Sequence, residues 1–252
     1  MKIFFLVRLI FVPLLFTICV ALQGQIVNIE SMRMGADSTG LDGQLALAGE
    51  FSQDANTNID LTGNLLLIYK SNPHQYLVNL SAGYGRVDTV ENENNLFAHL
   101  RYNFIFNERF TGELFAQSKT DEFLRIQRRD LYGAGIRIKL AGSSTLKFFG
   151  GVTAMYEHEI LTGNQVNDGV RMSDYLSLWY KKDNVEISLV GYYQPRMDDF
   201  ANYRLAMDNQ VSVKVFKKIS FLTSFSLGYD SRRPEEIPNT VYEMKVGIGV
   251  NF

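Results

Sequence analysis

From Leu41 onward, hydrophobic and polar side chains alternate one by one. Leu41, Gly43, Leu45, Leu47, Gly49 and Phe51 share one face, and Asp42, Gln44, Ala46, Ala48, Glu50 and Ser52 share the other. The chain ends in the same way, with Tyr242, Met244, Val246, Ile248, Val250 and Phe252 opposite Glu243, Lys245, Gly247, Gly249 and Asn251. The register recurs in Ile59–Tyr69, Tyr76–Tyr84, Leu96–Phe106, Phe110–Ala116, Ala134–Leu140, Leu146–Tyr156, Leu176–Tyr180, Val185–Tyr193, Tyr203–Val215 and Ile219–Tyr229. A side-chain period of two means β-strands, and many of these are long for a soluble domain. They match the roughly 9–11 residues with which a tilted strand crosses a bilayer. After Gln25 the sequence has no apolar run long enough for a membrane helix, which needs about 18 residues.

Alternation alone fits two folds. In an exported soluble β-sandwich the apolar face meets a second sheet, whereas in a membrane barrel it meets lipid and the polar face lines the lumen. Aromatic placement favours the barrel. Tyr69, Tyr76, Phe104, Phe106, Phe110, Tyr180, Phe221 and Phe252 gather towards one end of the apolar faces, and Phe51, Tyr84, Tyr156, Tyr193, Tyr203, Tyr229 and Tyr242 towards the other. Two such girdles are expected where amphipathic rings sit among lipid headgroups. The connections also alternate. Short turns at 70–74, 107–109, 141–144, 181–184 and 216–218 take turns with longer links at 86–94, 118–128, 157–172, 194–202 and 230–239. Only the first hairpin, around 53–58, is short where a long link is expected. With the N-terminus in the periplasm this gives about twelve strands, an even count that returns both ends to one side. Closure also pairs every strand edge, which hydrocarbon demands.

The first residues are of another kind. Lys2 and Arg8 flank an apolar stretch from Ile10 to Leu22, followed by small residues around Ala21–Gln25. This is the architecture of a secretory signal peptide over residues 1–25, with a permanent N-terminal anchor as the competing reading. Residues 26–40 form an N-terminal periplasmic segment, and 41–252 the barrel. The one cysteine, Cys19, lies in the leader. The exported chain is therefore expected to have no disulfide framework, thiolate metal site or cysteine nucleophile. Losing the two basic leader residues moves the formal charge from -2 to about -4, which offers nothing to nucleic acid. The modest loops argue against a large receptor domain and against a plug.

The polar faces supply the candidate chemistry. His99, Arg101, Glu113, Arg137, Lys139, Lys147, Glu186, Arg204, Asp208, Lys214 and Lys245 are the candidate pore-lining residues. Bases outnumber acids there, so an open lumen would mildly favour anions. Phe97, Phe115, Phe149 and Trp179 share these inward faces and fill space. The alternative is a closed interior whose charges pair across the barrel.

Enzymatic readings find little support. A lipid hydrolase of the phospholipase or lipid A deacylase type would need a His polarising a Ser, commonly two positions apart on one strand. None of the three histidines is so placed, although Ser173 or Ser177 could approach His158 from the next strand. Asp198-Asp199 and Asp121-Glu122 are adjacent acids in links, a pattern usual for solvated carboxylates. No catalytic residue, metal site or cofactor is assigned.

The stretch from Ile26 to Leu140 carries the entry Val27-Asn28-Ile29-Glu30, glycine-bearing alternating hairpins and the turn Tyr102-Asn103-Phe104-Ile105-Phe106-Asn107-Glu108-Arg109-Phe110. On these motifs the chain resembles the salt-induced outer-membrane protein family, a domain-of-unknown-function family of β-barrels. The resemblance implies an outer-membrane barrel, and the terminal Phe252 is similar to the C-terminal signal by which such barrels are recognised for assembly. The expectation is thus an all-β, transmembrane, antiparallel up-and-down barrel in the outer membrane of a Gram-negative bacterium. It would be a narrow porin-like channel or an envelope-stress barrel, partnered by outer-membrane lipid, the barrel-assembly machinery and small ions or solutes. The alternatives are a lipid-modifying enzyme and a soluble exported β-sandwich binding module.

Overall fold

A computed structural model of the chain describes residue 33 and residues 39–53, 57–233 and 237–252. The leader at 1–25 and all of the 26–40 segment except residues 33, 39 and 40 lie outside the described residues.

Twelve antiparallel strands follow one another around a closed wall. They are β1 (Gly40–Gln53), β2 (Thr57–Ser71), β3 (His74–Val87), β4 (Val90–Ile105), β5 (Phe110–Asp121) and β6 (Ile126–Gly142). The others are β7 (Leu146–Leu161), β8 (Gln165–Met172 and Asp174–Lys182), β9 (Val185–Pro195), β10 (Tyr203–Lys214), β11 (Ile219–Asp230) and β12 (Thr240–Asn251). The two parts of β8 are one strand. Ala154 pairs with Met172 and Gly151 with Tyr175 in a single register, and Ser173 between them donates its N–H to Thr153 at 2.8 Å. Each strand pairs with its sequence neighbours, and β12 returns to β1. This is the up-and-down barrel that alternation predicts.

Burial follows the pleat. Along β3, Gln75, Leu77, Asn79, Ser81, Gly83 and Gly85 are buried inward, while Tyr76, Leu80 and Tyr84 are exposed outward. The outward set is apolar on every strand, with Leu100, Ile136, Val152, Leu176, Met244 and Ile248 each about half exposed or more. A water-soluble protein would hide such a belt, whereas lipid requires it. Tyr69, Tyr76 and Tyr102 form a contact chain near the end where β1 begins and β12 ends, and Tyr193, Tyr203 and Tyr229 one near the opposite end. The two ends are called the terminal and the distal rim below. The side chain of Phe51, expected in the distal girdle, lies outside the described residues.

The distal rim differs from expectation. The links at 86–94, 118–128 and 157–172 are mostly strand, closed by tight turns at Asp88 (φ 54°), Arg125 (φ 55°) and Gly163-Asn164 (φ 91° and 61°). The wall therefore continues as projecting hairpins, and among the described residues of the later links 196–202, 231–233 and 237–239 lie outside the long strands. Ile237 of the last loop packs with Leu124, Ile126 and Val241, with Phe123 and Leu161 against them. This apolar latch joins the β5–β6 hairpin to the entry of β12.

Candidate functional site in the barrel lumen

The inward faces build the site. Glu113, on β5 opposite Asn103 of β4, is wholly buried and accepts a 3.2 Å hydrogen bond from Arg101 Nη1 on β4. The Tyr175 hydroxyl reaches across from β8 to within 3.0 and 3.1 Å of its two carboxylate oxygens. Arg137 Nη1, on β6, donates to that hydroxyl at 3.3 Å. A further guanidinium comes from outside the wall, since Arg33, in the segment ahead of β1, pairs with Glu113 and is itself buried. Tyr175 can lie across the wall because Gly151 faces it. A Cβ there would sit 2.0 Å from the ring.

Aromatic faces hold the cations of this layer. Arg101 lies 5.2 Å from the Phe115 ring centre and Arg137 4.0 Å from that of Phe149, at cation–π range. His99 stacks between Phe97 and Phe115 with ring centres 6.2 and 5.7 Å away. Its Nε2 accepts from Arg101 Nε at 3.2 Å, so its proton is on Nδ1, which donates to Gln117 Oε1 at 3.2 Å. The imidazole is thus neutral and fixed in one tautomer.

A second layer lies distally. Glu157 on β7 receives Arg171 Nε of β8 at 2.6 Å and also pairs with Arg204 of β10, which crosses the lumen. Arg204 Nε binds Asp230 at 2.7 Å, and Arg129 pairs with Glu159 and, at 3.4 Å, with Glu157. Arg171 donates further to the carbonyls of Gln194 and Asn202 at 3.2 and 3.3 Å. Three arginines and three carboxylates neutralise one another here.

Towards the terminal rim Lys147 lies 4.7 Å from the Trp179 ring centre, and the indole N–H donates to Glu186 at 3.1 Å. Lys245 pairs with Glu243 at 2.5 Å, Asp208 is buried on β10, Lys139 is half-buried, and Lys214 is exposed at the rim. All of the sequence-predicted lumen residues except Lys214 are thus buried or half-buried. Arg101, Glu113 and Arg137 meet in one layer, while Arg204 belongs to another.

Between these layers a cavity of about 700 Å³ opens towards the distal rim. Eight bases line it, namely Arg101, Lys119, Arg129, Arg171, Arg196, Arg204, Arg232 and Arg233, against Glu159, Asp199 and Asp230. At the loop edge Arg196 grips Asp198 through two hydrogen bonds of 2.9 and 2.8 Å. That pairing lowers the Asp198 carboxyl to about 2.

Several partners escaped the sequence reading. Tyr175 falls on an inward face but is uncharged, Arg33 lies before the first strand, and Glu157, Glu159 and Arg171 sit in what reads as a link. Asp121 and His158 are engaged by neighbouring side chains. Asp121 pairs with Lys119 at 2.8 Å and caps the Leu124 N–H at 2.9 Å. His158 Nδ1 lies 2.6 Å from Asp168 Oδ1, a partner half-exposed to solvent. Ser173 and Ser177 do not approach it, because both are buried on the inward face, where Gln194 donates to Ser173 at 2.9 Å. No cluster of three metal-ligating side chains occurs among the described residues.

Residues 46–252 match the family described as "Protein of unknown function, DUF481", and the chain belongs to that family. None of the curated proteins matches it in sequence. Among solved structures it is similar to an outer membrane channel from Pseudomonas putida F1, at 11% identity and a TM-score of 0.56, over 90% of this chain and 100% of that one. It is also similar to the NanC porin, at 9% identity and a TM-score of 0.51, over 84% of this chain and 99% of that one. At these identities the likeness concerns the fold, which is that of outer-membrane β-barrels.

Proposed function

We propose that this barrel is a narrow outer-membrane channel that favours small anions, with the distal rim facing the cell exterior and the terminal rim the periplasm. The observation that carries the reading is the distal cavity, where eight bases face three acids and the floor is formed by Arg101 and aromatic rings. Counting Glu113, Asp121, Glu157 and Asp198, which pair with these bases from behind the lining, the balance is eight bases to seven acids, a slight positive excess that would mildly favour anions at the mouth. His99, Arg101, Glu113, Arg137, Lys139, Lys147, Glu186, Arg204, Asp208, Lys214 and Lys245 would line the path. The two channels of similar fold support the reading. A signal peptide at 1–25 would deliver the chain, and Phe252, half exposed beside Gly43, would present the assembly signal. The test is conductance in planar bilayers with a salt gradient. The reversal potential is expected to favour chloride over potassium, and an absence of steps in any salt overturns the channel.

A second reading rests on the pairing itself. Arg33, Arg101, Glu113 and Tyr175 meet across the lumen, as do Glu157 and Arg204. Such contacts favour a closed, stabilising barrel, and the resemblance to the salt-induced outer-membrane protein family supports an envelope-stress role for it. Silent bilayers together with an induced, stress-sensitive phenotype would select it.

A further inference from the structure

The wall is not equally closed around its circumference. Between β11 and β12 the ladder runs over eleven residue pairs, from Ile219↔Val250 to Tyr229↔Thr240. Between β1 and β2 it runs over fourteen, from Gly40↔Lys70 to Gln53↔Thr57. Between β1 and β12 it has four, Gln44↔Asn251 to Leu47↔Ile248, extended at the terminal rim by the reciprocal Gly43–Phe252 bonds of 2.8 and 2.9 Å. Both strands continue well past this point, β1 to Gln53 and β12 back to Thr240. The next hydrogen-bonded pair of the register would be Gly49 with Val246, which lies beyond the end of the ladder. Gly247 marks the place where the ladder gives out. A Cβ there would stand 2.7 Å from the Leu47 carbonyl oxygen.

Unpaired N–H and C=O groups facing hydrocarbon cost several kcal/mol each, roughly, so an open edge persists only where water or a ligand reaches it. This seam has such access. A cavity of about 120 Å³ lies behind it, lined by Ala48, Gly247, Ser224, Asp208, Glu243 and Lys245 among others, and by the outward Leu47. The cavity thus reaches the seam itself, with Leu47 and Ala48 on one side of it and Gly247 on the other. Outside, Leu47, Met244 and Val246 are each about half exposed or more. Inside, two carboxylates face one ammonium, in contrast to the positive distal vestibule.

We propose that the distal half of the β1–β12 seam is a lateral portal between the lumen and the outer leaflet, passing single-chain amphiphiles whose head carries no net negative charge. The acyl chain stays against Leu47, Met244 and Val246 while the head enters among Asp208, Glu243 and Lys245. The proposal rests on the barrel residing in the outer membrane but not on conduction along its axis.

The test uses a fluorescent reporter and a lock. Trp179 is the only tryptophan and Cys19 the only cysteine, and Cys19 lies in the leader. A Trp179→Phe/Ser224→Trp protein, with Cys19→Ser if the leader is retained, reports on the seam cavity from inside. In lipid vesicles a brominated dodecyl trimethylammonium is expected to quench it at least threefold more than a brominated dodecyl sulfate. Adding Gly49→Cys and Val246→Cys places a disulfide where the ladder stops. Oxidation should cut the quenching at least threefold and reduction restore it, with Phe51→Cys/Met244→Cys as a second lock. Chloride conductance, measured on the same oxidised and reduced protein, reads the axial path separately. Lock-sensitive quenching without conductance keeps the portal and removes the axial channel. Absent quenching in the unlocked protein, equal quenching by both amphiphiles, or quenching indifferent to either lock overturns the portal even if the protein conducts.

Discussion

Glu113 is the residue on which its layer of the lumen turns. It balances Arg33 and Arg101 directly and Arg137 through Tyr175. Breaking a buried pair by removing one charge is far costlier than the pair is stabilising, because the remaining ions lose their counter-charge. Glu113→Gln is therefore expected to destabilise the barrel by about 3 kcal/mol, read as an earlier loss of heat-modifiable gel migration. It should also shift the reversal potential further towards chloride. Gly151→Ala attacks the same layer sterically. Its Cβ meets the Tyr175 ring at 2.0 Å, so the ring must leave Glu113, at a cost of roughly 1–3 kcal/mol. At the exposed end of the scale stands Asp198, held at about 2 by Arg196 against an ordinary 3.8. A lowered carboxyl stabilises its loop at any pH above the ordinary value and loses that contribution as the pH falls through 2. Carboxyl carbon shifts should place the midpoint near 2, and Arg196→Gln should return it towards 3.8.

Among the elements, the strands were legible because lipid and lumen impose opposite demands on successive residues. All twelve alternating segments are strands, and Phe97, Phe115, Phe149 and Trp179 turn inward as their phase requires. Legibility ends where that contrast ends. The tip of β7 carries Glu157, His158 and Glu159, and its partner carries Asn167 and Asp168, so both faces are polar once the wall leaves hydrocarbon. Period two then vanishes although the strand continues, which is why 118–128 and 157–172 read as loops. Periodicity also gives a face but never the residue across the lumen, so Arg204 with Glu157 and Tyr175 with Glu113 could not be paired in advance. Runs such as Leu65–Ile68 are apolar on both faces, and although the phase of Ile59–Tyr69 turns Leu66 and Ile68 inward, only the fold shows that they pack onto Leu77. The two faces should respond oppositely to charge. Ile136→Arg, on the outward belt, is expected to cost about 2–4 kcal/mol in urea titrations of folding into vesicles. Ser224→Lys, on the lumen side, is expected to leave the midpoint nearly unchanged.

For the whole molecule the decisive question is what stands between its two mouths. The distal vestibule is roomy, about 700 Å³, and ends on the Glu113 layer. Among the described residues that layer is spanned by wall residues and by one that is not part of the wall, Arg33. Wall residues are held by backbone ladders on both sides, so their guanidinium groups move only within their rotamers. Arg33 is tied to Glu113 by its side chain, and it precedes β1, so its withdrawal would break no strand pairing. If the lumen conducts, removing that one side chain should widen the path at this charged layer, while Arg101 and Arg137 keep their positive charge. Arg33→Ala is therefore expected to raise single-channel conductance at least twofold with little change in chloride preference. Arg101→Ala should instead lower the preference, because it subtracts charge from the vestibule floor. A barrel in which both variants conduct as the parent does has its constriction elsewhere, and one in which neither conducts is the closed, stabilising interior that the cross-lumen pairs also permit.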